Sequence, residues 1–189
     1  MCGIFFYQGC IDLSDKNINN AIKLLNLRGP DNNIYHSISK SKHMGFARLS
    51  INDVSSNGDQ PLIKNDNYFL ICNGEIYNHK ELIEENDFIT QSNSDCEIII
   101  HMYEKYGIEH TLKNLDGVFA FVLYDKNLDK LFIARDPYGV RPLFIGFTEH
   151  DELCVCSEIK PITKYCKHIE PFEIGSYSEL NNGFTTITY

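Results

Sequence analysis

The sequence lacks a long apolar run, a basic leader and an excess of positive charge. Its longest apolar run extends from Val118 to Tyr124, far short of the roughly 18 residues that mark a membrane-spanning helix. The first basic residue is Lys16, so the basic region that opens a secretory signal is missing. The net charge is -9, from 17 basic and 26 acidic side chains, and an acidic surface repels phosphate backbones. We therefore expect a cytoplasmic protein with neither membrane nor nucleic acid as a partner.

The composition is that of one soluble globular domain. The chain has 189 residues, of which 43% are hydrophobic and 23% are charged, and these values are ordinary for a folded protein of this length. Its 7 cysteines are an odd number, and reduced thiols are the default where no export signal is present. One of these thiols is therefore a candidate nucleophile.

Periodicity predicts strands and helices in two blocks. Apolar spacings of three and four predict a helix over 17–27, ended by Arg28-Gly29-Pro30-Asp31. Ser94-Asp95-Cys96-Glu97 is a capping-box pattern that predicts the start of another helix, with Gly107 at its end. Short apolar stretches over 118–157 predict an antiparallel meander. Together these patterns indicate an α+β fold.

Cys2 lies where removal of Met1 would leave a thiol and a free α-amine on the same residue. The ordinary pKa of an α-amine lies close to that of a thiol, so the amine can take the thiol proton as a built-in general base. The opposing interpretation is a small buried cysteine in an N-terminal strand, because free cysteine is among the most buried residue types. Position alone does not decide between them.

Three other positions carry groups that suit an amino-acid substrate. Asn73-Gly74 follows an apolar strand, and its side-chain amide and backbone N–H can point at one developing oxyanion, although a plain turn is the alternative. Arg48 can bind a carboxylate and Asp95 can bind an ammonium, although each alone is more often part of a surface ion pair. Beside a nucleophile, one carboxylate clamp and one ammonium clamp predict a site for an α-amino acid.

Seven segments follow one another along the chain in a characteristic order: Met1-Cys2-Gly3-Ile4, Arg28-Gly29-Pro30-Asp31, Arg48-Leu49-Ser50-Ile51, Asn73-Gly74-Glu75-Ile76-Tyr77-Asn78-His79, Ser94-Asp95-Cys96-Glu97, Leu115-Asp116-Gly117-Val118-Phe119-Ala120-Phe121 and Arg135-Asp136-Pro137-Tyr138-Gly139-Val140-Arg141-Pro142-Leu143. As a set they resemble the class II glutamine amidotransferase domain. More narrowly, they resemble the N-terminal glutaminase domain of glutamine-dependent asparagine synthetase.

The resemblance implies a fold, a reaction and a set of roles. The fold is one domain over 1–189 of the N-terminal-nucleophile (Ntn) hydrolase type, a four-layer αββα sandwich of two mostly antiparallel sheets with helices outside. The reaction is hydrolysis of L-glutamine to glutamate and ammonia through a thioester, without a metal or cofactor. The implied roles are Cys2 as nucleophile with its α-amine as base, Asn73 and the Gly74 N–H as oxyanion hole, Arg48 for the α-carboxylate, Asp95 for the α-amine, Leu49, Ile51 and Glu75 around the substrate, and Arg28 as support for the N-terminal end.

The chain also departs from the family pattern. Leu27 stands where many relatives have His, and Arg135-Asp136-Pro137-Tyr138 is a variant of the corresponding family segment. No Ser-Gly-Gly-x-Asp-Ser loop, which holds ATP pyrophosphate in the synthetase domain, occurs in the sequence. We therefore expect that domain, with its ATP and Mg, to be absent from 1–189 and the ammonia to pass to a synthetase domain or subunit that accepts it.

Other interpretations stay open from the residues. One is a catalytically silent glutamine-binding or regulatory module of the same fold, and another is Cys-His proteolysis. A third is a zinc site formed by Cys154, Cys156, Cys166 and His168, although period-2 spacing also fits Cys154 and Cys156 as buried thiols on one strand face. Within the family, the segment 139–143 also resembles the branch that makes phosphoribosylamine, so the acceptor of the ammonia is open as well.

Overall fold

A computed structural model describes residues 1–180 and 184–188, and the chain divides into two compact units. The first unit comprises Met1–Ser50 and Pro142–Phe172, and the second comprises Ile51–Arg141 and Glu173–Tyr189. Each unit contains one six-stranded sheet, and neighbouring strands run antiparallel in both. The predicted α+β fold with two antiparallel sheets is confirmed, whereas the prediction of one domain over 1–189 stays a prediction.

The described residues form twelve strands and four α-helices. In chain order these are β1 (Gly3–Gln8), α1 (Asp15–Lys23), β2 (Asn32–Ser39), β3 (Lys42–Arg48), β4 (Leu62–Lys64), β5 (Tyr68–Ile76), α2 (His79–Asn86), α3 (Ile98–Tyr106), α4 (Ile108–Asn114), β6 (Gly117–Asp125), β7 (Lys130–Arg135), β8 (Phe144–Thr148), β9 (Leu153–Cys156), β10 (Cys166–Pro171), β11 (Ser176–Leu180) and β12 (Phe184–Thr188). Within these ranges, no helix is long and apolar enough to cross a membrane.

The first unit places α1 against a sheet whose strand order is β10-β8-β9-β1-β3-β2. Ser14 caps α1 by accepting a hydrogen bond from the Asn17 N–H at 3.4 Å. The apolar face of α1 joins a core that includes Phe5 of β1 together with Cys154 and Cys156 of β9. Both thiols are buried, as the period-2 spacing permits.

The second unit places its helices against a sheet of order β12-β11-β7-β6-β5-β4. Alternate residues of β5, among them Leu70, Cys72 and Ile76, form one core with apolar residues of α2, α3 and α4. Side chains at odd positions of β5 point to the opposite face of the sheet, because successive side chains of a strand alternate. Asn73 lies on that second face.

The predicted meander over 118–157 is wrong. β6 pairs with β7 in one sheet, whereas β8 pairs with β9 in the other. The loop after β7 makes this change possible, because the Asp136 carboxylate accepts the N–H groups of Tyr138 at 3.0 Å and Val140 at 3.2 Å. The loop thereby satisfies its own backbone without a sheet partner.

The predicted capping box is also wrong. Residues Asp95–Glu97 form a 3₁₀ turn before α3, and Ser94 makes no side-chain cap. Glu97 instead accepts hydrogen bonds from the N–H of Gln91 at 2.7 Å and the N–H of Ser92 at 2.8 Å. Its carboxylate therefore fixes the loop that leads to Asp95.

Candidate active site

The thiol of Cys2 is held by the backbone of Leu49. Cys2 lies one residue before β1, and the antiparallel pairing of Gly3 with Ala47 brings the residues after β3 beside it. The Cys2 Sγ donates to the Leu49 carbonyl at 3.5 Å, and the Leu49 N–H donates to the same sulfur at 3.4 Å. The nucleophile candidate thus sits half-buried with a fixed orientation.

Arg28 contacts the backbone of the same residue. Its Nε donates to the Cys2 carbonyl at 2.9 Å, and its Nη1 lies 3.5 Å from Glu158 Oε1. The next residue, Gly29, packs so closely on β3 that an added Cβ would lie 2.1 Å from the Ala47 carbonyl oxygen. A glycine is therefore required for the loop to bring Arg28 to Cys2.

Arg48 is the last residue of β3 and is 6% exposed. Its carbonyl accepts the Asp31 N–H at 3.0 Å, and the Asp31 carboxylate accepts the Ser50 N–H at 2.7 Å. These bonds join the Arg-Gly-Pro-Asp segment to the segment that carries Arg48 and Leu49. Ile51, which begins the second unit, is 67% exposed.

Asn73, Gly74 and Glu75 are consecutive residues inside β5, paired with Ala120, Phe119 and Val118 of β6. The plain-turn alternative for Asn73-Gly74 is therefore wrong, since β6 supplies a partner for every residue of β5. A Cβ on Gly74 would lie 2.8 Å from both the Phe119 Cβ and the Val118 carbonyl oxygen. The glycine allows the close approach of the two strands, and Glu75 is exposed beyond it.

The N–H of Gly74 points away from β6. In an antiparallel pair, the N–H and C=O of one residue point to the same side of its strand. The Phe119 N–H donates to Asp136 Oδ2 at 3.2 Å, and its carbonyl accepts the Asp136 N–H at 2.8 Å. Both groups of Phe119 are thus directed toward β7, so Gly74 and Phe119 do not exchange hydrogen bonds.

The edge toward which Gly74 points also carries the N–H groups of Cys72 and Ile76. The Cys72 N–H donates to Gln60 Oε1 at 2.5 Å, and the Ile76 N–H donates to Asp95 Oδ2 at 2.6 Å. Gly74 lies two residues from Cys72 and two residues from Ile76, a separation of about 7 Å along the strand in each direction. We call this side of β5, with the N–H groups of Cys72, Gly74 and Ile76, the β5 edge.

Asn73 presents a buried amide donor. The residue is 1% exposed, and its Nδ2 makes no hydrogen bond with any residue that the structure describes. An unsatisfied buried donor costs about 1–3 kcal/mol of stability, so native proteins rarely keep one without a functional reason. The amide is available to an acceptor that the protein itself does not supply.

Asp95 is a buried carboxylate with three neutral partners. It is 4% exposed, and its Oδ1 accepts the Asn52 amide at 2.7 Å while its Oδ2 accepts the Ile76 N–H at 2.6 Å. The Cys96 thiol, 4.0 Å from Oδ2, is a weaker third donor, and none of the three partners is a cation. Asn52 was not found from the sequence, because no pattern in the sequence joins it to a residue more than forty positions away.

Glu97 is a second acid near Asp95 that the sequence did not identify as an anchor. Burial raises its pKa, but hydrogen bonds from His101, Ser92 and the Gln91 and Ser92 N–H groups together outweigh burial and lower the pKa to about 2. The Nδ1 of His101 in turn lies 3.0 Å from the Nζ of Lys64. Because an ammonium only donates, that Nδ1 acts as the acceptor and the Nε2–H faces Glu97.

Among the candidate zinc ligands, Cys154 and Cys156 have the properties of buried thiols, whereas a hydrogen bond with Cys154 lowers the pKa of the half-buried Cys166. Hydrogen bonding with Cys166 and burial raise the pKa of Cys154, and burial raises the pKa of Cys156 to about 12. Such thiols stay protonated near neutral pH, whereas zinc binds thiolates. In the part of the chain that the structure describes, no group of three or more His, Cys, Asp or Glu side chains is placed to hold a metal.

Comparisons with known proteins agree in both sequence and fold. The family model of the glutamine amidotransferase domain matches residues 1–183. The glutamine-hydrolyzing asparagine synthetase of Mesocricetus auratus is 43% identical over 192 residues, which cover 96% of this chain and 34% of that protein. The probable asparagine synthetase of Acanthamoeba polyphaga mimivirus is 38% identical and is matched over 97% of this chain and 34% of its own length.

A solved structure shares the fold. The glutamine phosphoribosylpyrophosphate amidotransferase from B. subtilis, complexed with ADP and GMP, aligns with a TM-score of 0.82 over 99% of this chain and 49% of that chain, at 23% identity. The sequence relatives are longer as well, since this chain spans about a third of the length of the curated relatives it matches.

Proposed function

The chain belongs to the glutamine amidotransferase domain family, and from this premise we propose that it hydrolyses the side-chain amide of L-glutamine to glutamate and ammonia through a thioester on Cys2. The β5 edge carries this proposal. There the Gly74 N–H is directed away from β6, and the preceding residue, Asn73, has a buried amide nitrogen without a hydrogen-bond partner in the described part of the chain. Two such donors are what the oxyanion of an amide-cleaving reaction requires.

Cys2 serves as the nucleophile once Met1 has been removed. The freed α-amine takes the thiol proton, and the sulfur forms a bond to the amide carbon of glutamine while the carbonyl electrons move to oxygen. Collapse of this intermediate breaks the C–N bond, and the nitrogen leaves as ammonia with the proton from the α-ammonium. Water then adds to the thioester, and a second tetrahedral intermediate releases glutamate and the Cys2 thiol.

Asn73 and Gly74 stabilise both tetrahedral intermediates. Each intermediate carries one negative oxygen, which the Asn73 Nδ2 and the Gly74 N–H bind as donors. Loss of one such donor typically lowers the rate about 100- to 1000-fold, or about 2.7–4 kcal/mol. The rigid pairing of β5 with β6 fixes both donors in advance, so they need no reorganisation during the reaction.

Asp95 and Arg48 recognise the two ends of the amino acid. Asp95 binds the Ile76 N–H two residues beyond Gly74, a step of about 7 Å along a strand. That step is comparable with the reach of an extended glutamine from its side-chain amide to its α-ammonium. Arg48 binds the α-carboxylate, while Leu49, Ile51 and Glu75 complete the surroundings of the substrate and Arg28 supports the N-terminal end.

Glutamine turnover by the full chain without Met1 tests the proposal. We expect equal amounts of glutamate and ammonia without added metal or cofactor. Mass spectrometry of rapidly acidified reactions should detect a glutamyl thioester on Cys2. Cys2→Ala should abolish turnover, whereas Cys10→Ala, which changes an exposed thiol, should leave it unchanged. Substantial turnover by Cys2→Ala would exclude the mechanism, and glutamine binding without ammonia release would favour a catalytically silent module.

We further propose that the ammonia passes to a synthetase domain or subunit of asparagine synthetase type. The names of the sequence relatives and their greater length support this acceptor. ATP and Mg would then serve the acceptor and not the amide cleavage. In a mixture with an ammonia-dependent asparagine synthetase domain, aspartate, ATP and Mg, glutamine should replace ammonia as nitrogen donor; failure of every such acceptor domain to use glutamine would contradict the pairing.

A further inference from the structure

Asp95 is oriented mainly by two short hydrogen bonds from different segments of the second unit. The Ile76 N–H, at the end of β5, binds Oδ2 at 2.6 Å, and the Asn52 amide binds Oδ1 at 2.7 Å. The Cys96 thiol, 4.0 Å from Oδ2, is a weaker third donor. Since Asn52 and Ile76 bind different oxygens, their two bonds together fix the plane of the carboxylate, and the bond to Oδ1 depends on the Asn52 side chain.

These bonds leave Asp95 able to bind a cation. An ionised carboxylate offers about four lone-pair positions, and the structure gives three of them to Asn52, Ile76 and the Cys96 thiol. All three donors are neutral, so the charge of a carboxylate that is 4% exposed is not compensated by them. An α-ammonium that reached the remaining position on Oδ1 would therefore meet a negative charge already turned toward it.

The loop that carries Asn52 has an anchor of its own. The Asp53 Oδ2 accepts the Asn93 N–H at 2.9 Å, and its Oδ1 accepts the N–H of Ser55 at 2.9 Å and the Ser55 hydroxyl at 2.7 Å. Asp53 thus ties the loop to the segment before Asp95 independently of Asn52. Truncation of Asn52 should remove one hydrogen bond and leave the loop in place.

We propose that Asn52 is a positioning residue, which holds the Asp95 carboxylate in the orientation that binds the α-ammonium of an amino-acid substrate. This inference rests on the proposed function of Asp95. Asn52 does not take part in the chemistry at Cys2, so its loss weakens substrate binding and leaves the breaking of the amide bond unaffected.

The test compares Asn52→Ala with Asn93→Ala in the full chain. We expect Asn52→Ala to raise the KM for L-glutamine about tenfold, the effect of one hydrogen bond to a charged group, while kcat changes less than about twofold. Asn52→Asp, which keeps the shape but faces Asp95 with a like charge, should raise KM further. Asn93→Ala is the matched control, because its contact to Asp53 uses the backbone N–H, and it should leave KM unchanged.

A substrate analogue separates positioning from a general structural effect. 4-Carbamoylbutanoate has the side-chain amide and the carboxylate of glutamine but no α-amine, so it does not use the Asp95 carboxylate. The loss caused by Asn52→Ala should therefore disappear with this analogue. An equal loss for both ligands would overturn the inference, as would a lowered KM for glutamine, which would mean that the Asn52 amide blocks the ammonium position.

Calorimetry keeps this result distinct from the fate of the proposed reaction. In a Cys2→Ala background, the additional change Asn52→Ala should weaken L-glutamine binding about tenfold, whether or not the parent chain turns glutamine over. Weakened binding with an inactive parent would reject the hydrolase and retain the role of Asn52. Absence of glutamine binding in the Cys2→Ala chain would overturn both.

Discussion

Cys2 of the first unit and Asn73 of the second differ in their hydrogen bonding. In the first unit, the Cys2 sulfur has Leu49 as its partner, and the Cys2 carbonyl has Arg28, which is itself paired with Glu158. In the second unit, the Asn73 amide nitrogen is buried and has no hydrogen-bond partner among residues 1–180 and 184–188. The difference suggests that the nucleophile is held by bonds that exist before substrate arrives, whereas the oxyanion donor obtains its acceptor only from the substrate.

Substitution of Asn73 by Ala should cause the largest loss of turnover among the variants that test this comparison. We expect kcat to fall about 100- to 1000-fold, because one oxyanion donor is lost. The free energy of unfolding should change by less than about 1 kcal/mol. Removal of an unsatisfied buried amide also removes its desolvation penalty, and this gain offsets part of the packing energy that is lost. Steady-state kinetics and denaturant unfolding of the same variant measure the two effects.

Asn67 provides the matched control for Asn73. It is also buried, at 7% exposure, but its side chain donates to Asp125 and accepts the Asn127 N–H at 2.7 Å. Asn67→Ala should therefore lower the free energy of unfolding by about 1–3 kcal/mol and leave kcat near that of the parent. Equal destabilisation by the two substitutions, with turnover retained in Asn73→Ala, would show that the Asn73 amide is structural.

Substitution of Arg28 by Lys tests the first unit, where Arg28 binds the Cys2 carbonyl. A guanidinium can contact the Cys2 carbonyl and Glu158 through different nitrogens, whereas a single ammonium lacks this fork. We expect turnover to fall about tenfold, as for the loss of one hydrogen bond from a charged group, with the native circular dichroism retained. The effect should be well below that of Asn73→Ala.

Glu158→Gln is the companion variant. It removes the charge of the ion pair but leaves the Arg28 contact to the Cys2 carbonyl, so turnover should change less than in Arg28→Lys. If Glu158→Gln were the more harmful of the two, the ion pair and not the contact to Cys2 would be the source of the effect of Arg28.

The motifs were readable from the sequence because they are local. The position of Cys2 after Met1, the order of the seven segments and the α+β class required no knowledge of which strands pair. The predicted helix over 17–27 was placed too late, because α1 covers Asp15–Lys23 and residues 24–28 form turns before Gly29. The predicted end at Gly107 is confirmed, since Gly107 ends α3 with a φ of 79°. Such features depend on neighbouring residues alone.

The parts that could not be predicted depend on distant partners. Asn73-Gly74 has the composition of a turn, but β6, more than forty residues later, extends the strand through both residues. The meander failed for the same reason, since apolar alternation identifies β8 without specifying its sheet. The contact of Asn52 with Asp95 and the donors to the Glu97 carboxylate are side-chain hydrogen bonds, and hydrophobic periodicity does not specify such partners.

Glu97 extends the comparison within the second unit, because its carboxylate accepts several hydrogen bonds, whereas the Asn73 amide nitrogen makes none with the residues that the structure describes. Its pKa in the folded chain is lowered to about 2, below the ordinary value of a glutamate. The stability that this acid contributes is therefore present above the ordinary pKa and is lost as the pH falls toward the folded value. Unfolding by denaturant at pH 7, 5 and 3 measures this loss.

In Glu97→Gln, the side chain no longer titrates and offers an amide group to the N–H donors of Gln91 and Ser92. We expect the free energy of unfolding at pH 7 to fall by about 1–3 kcal/mol, and the variant to lose less stability than the parent between pH 5 and pH 3. Glu104→Gln, in the adjoining helix α3, is the control, because Glu104 pairs with Lys64 near the surface, where an ion pair contributes about 0–1 kcal/mol. An unchanged pH dependence in Glu97→Gln would mean that Glu97 does not anchor the loop before Asp95, and the orientation of Asp95 would then depend on its own hydrogen bonds with Ile76, Asn52 and Cys96.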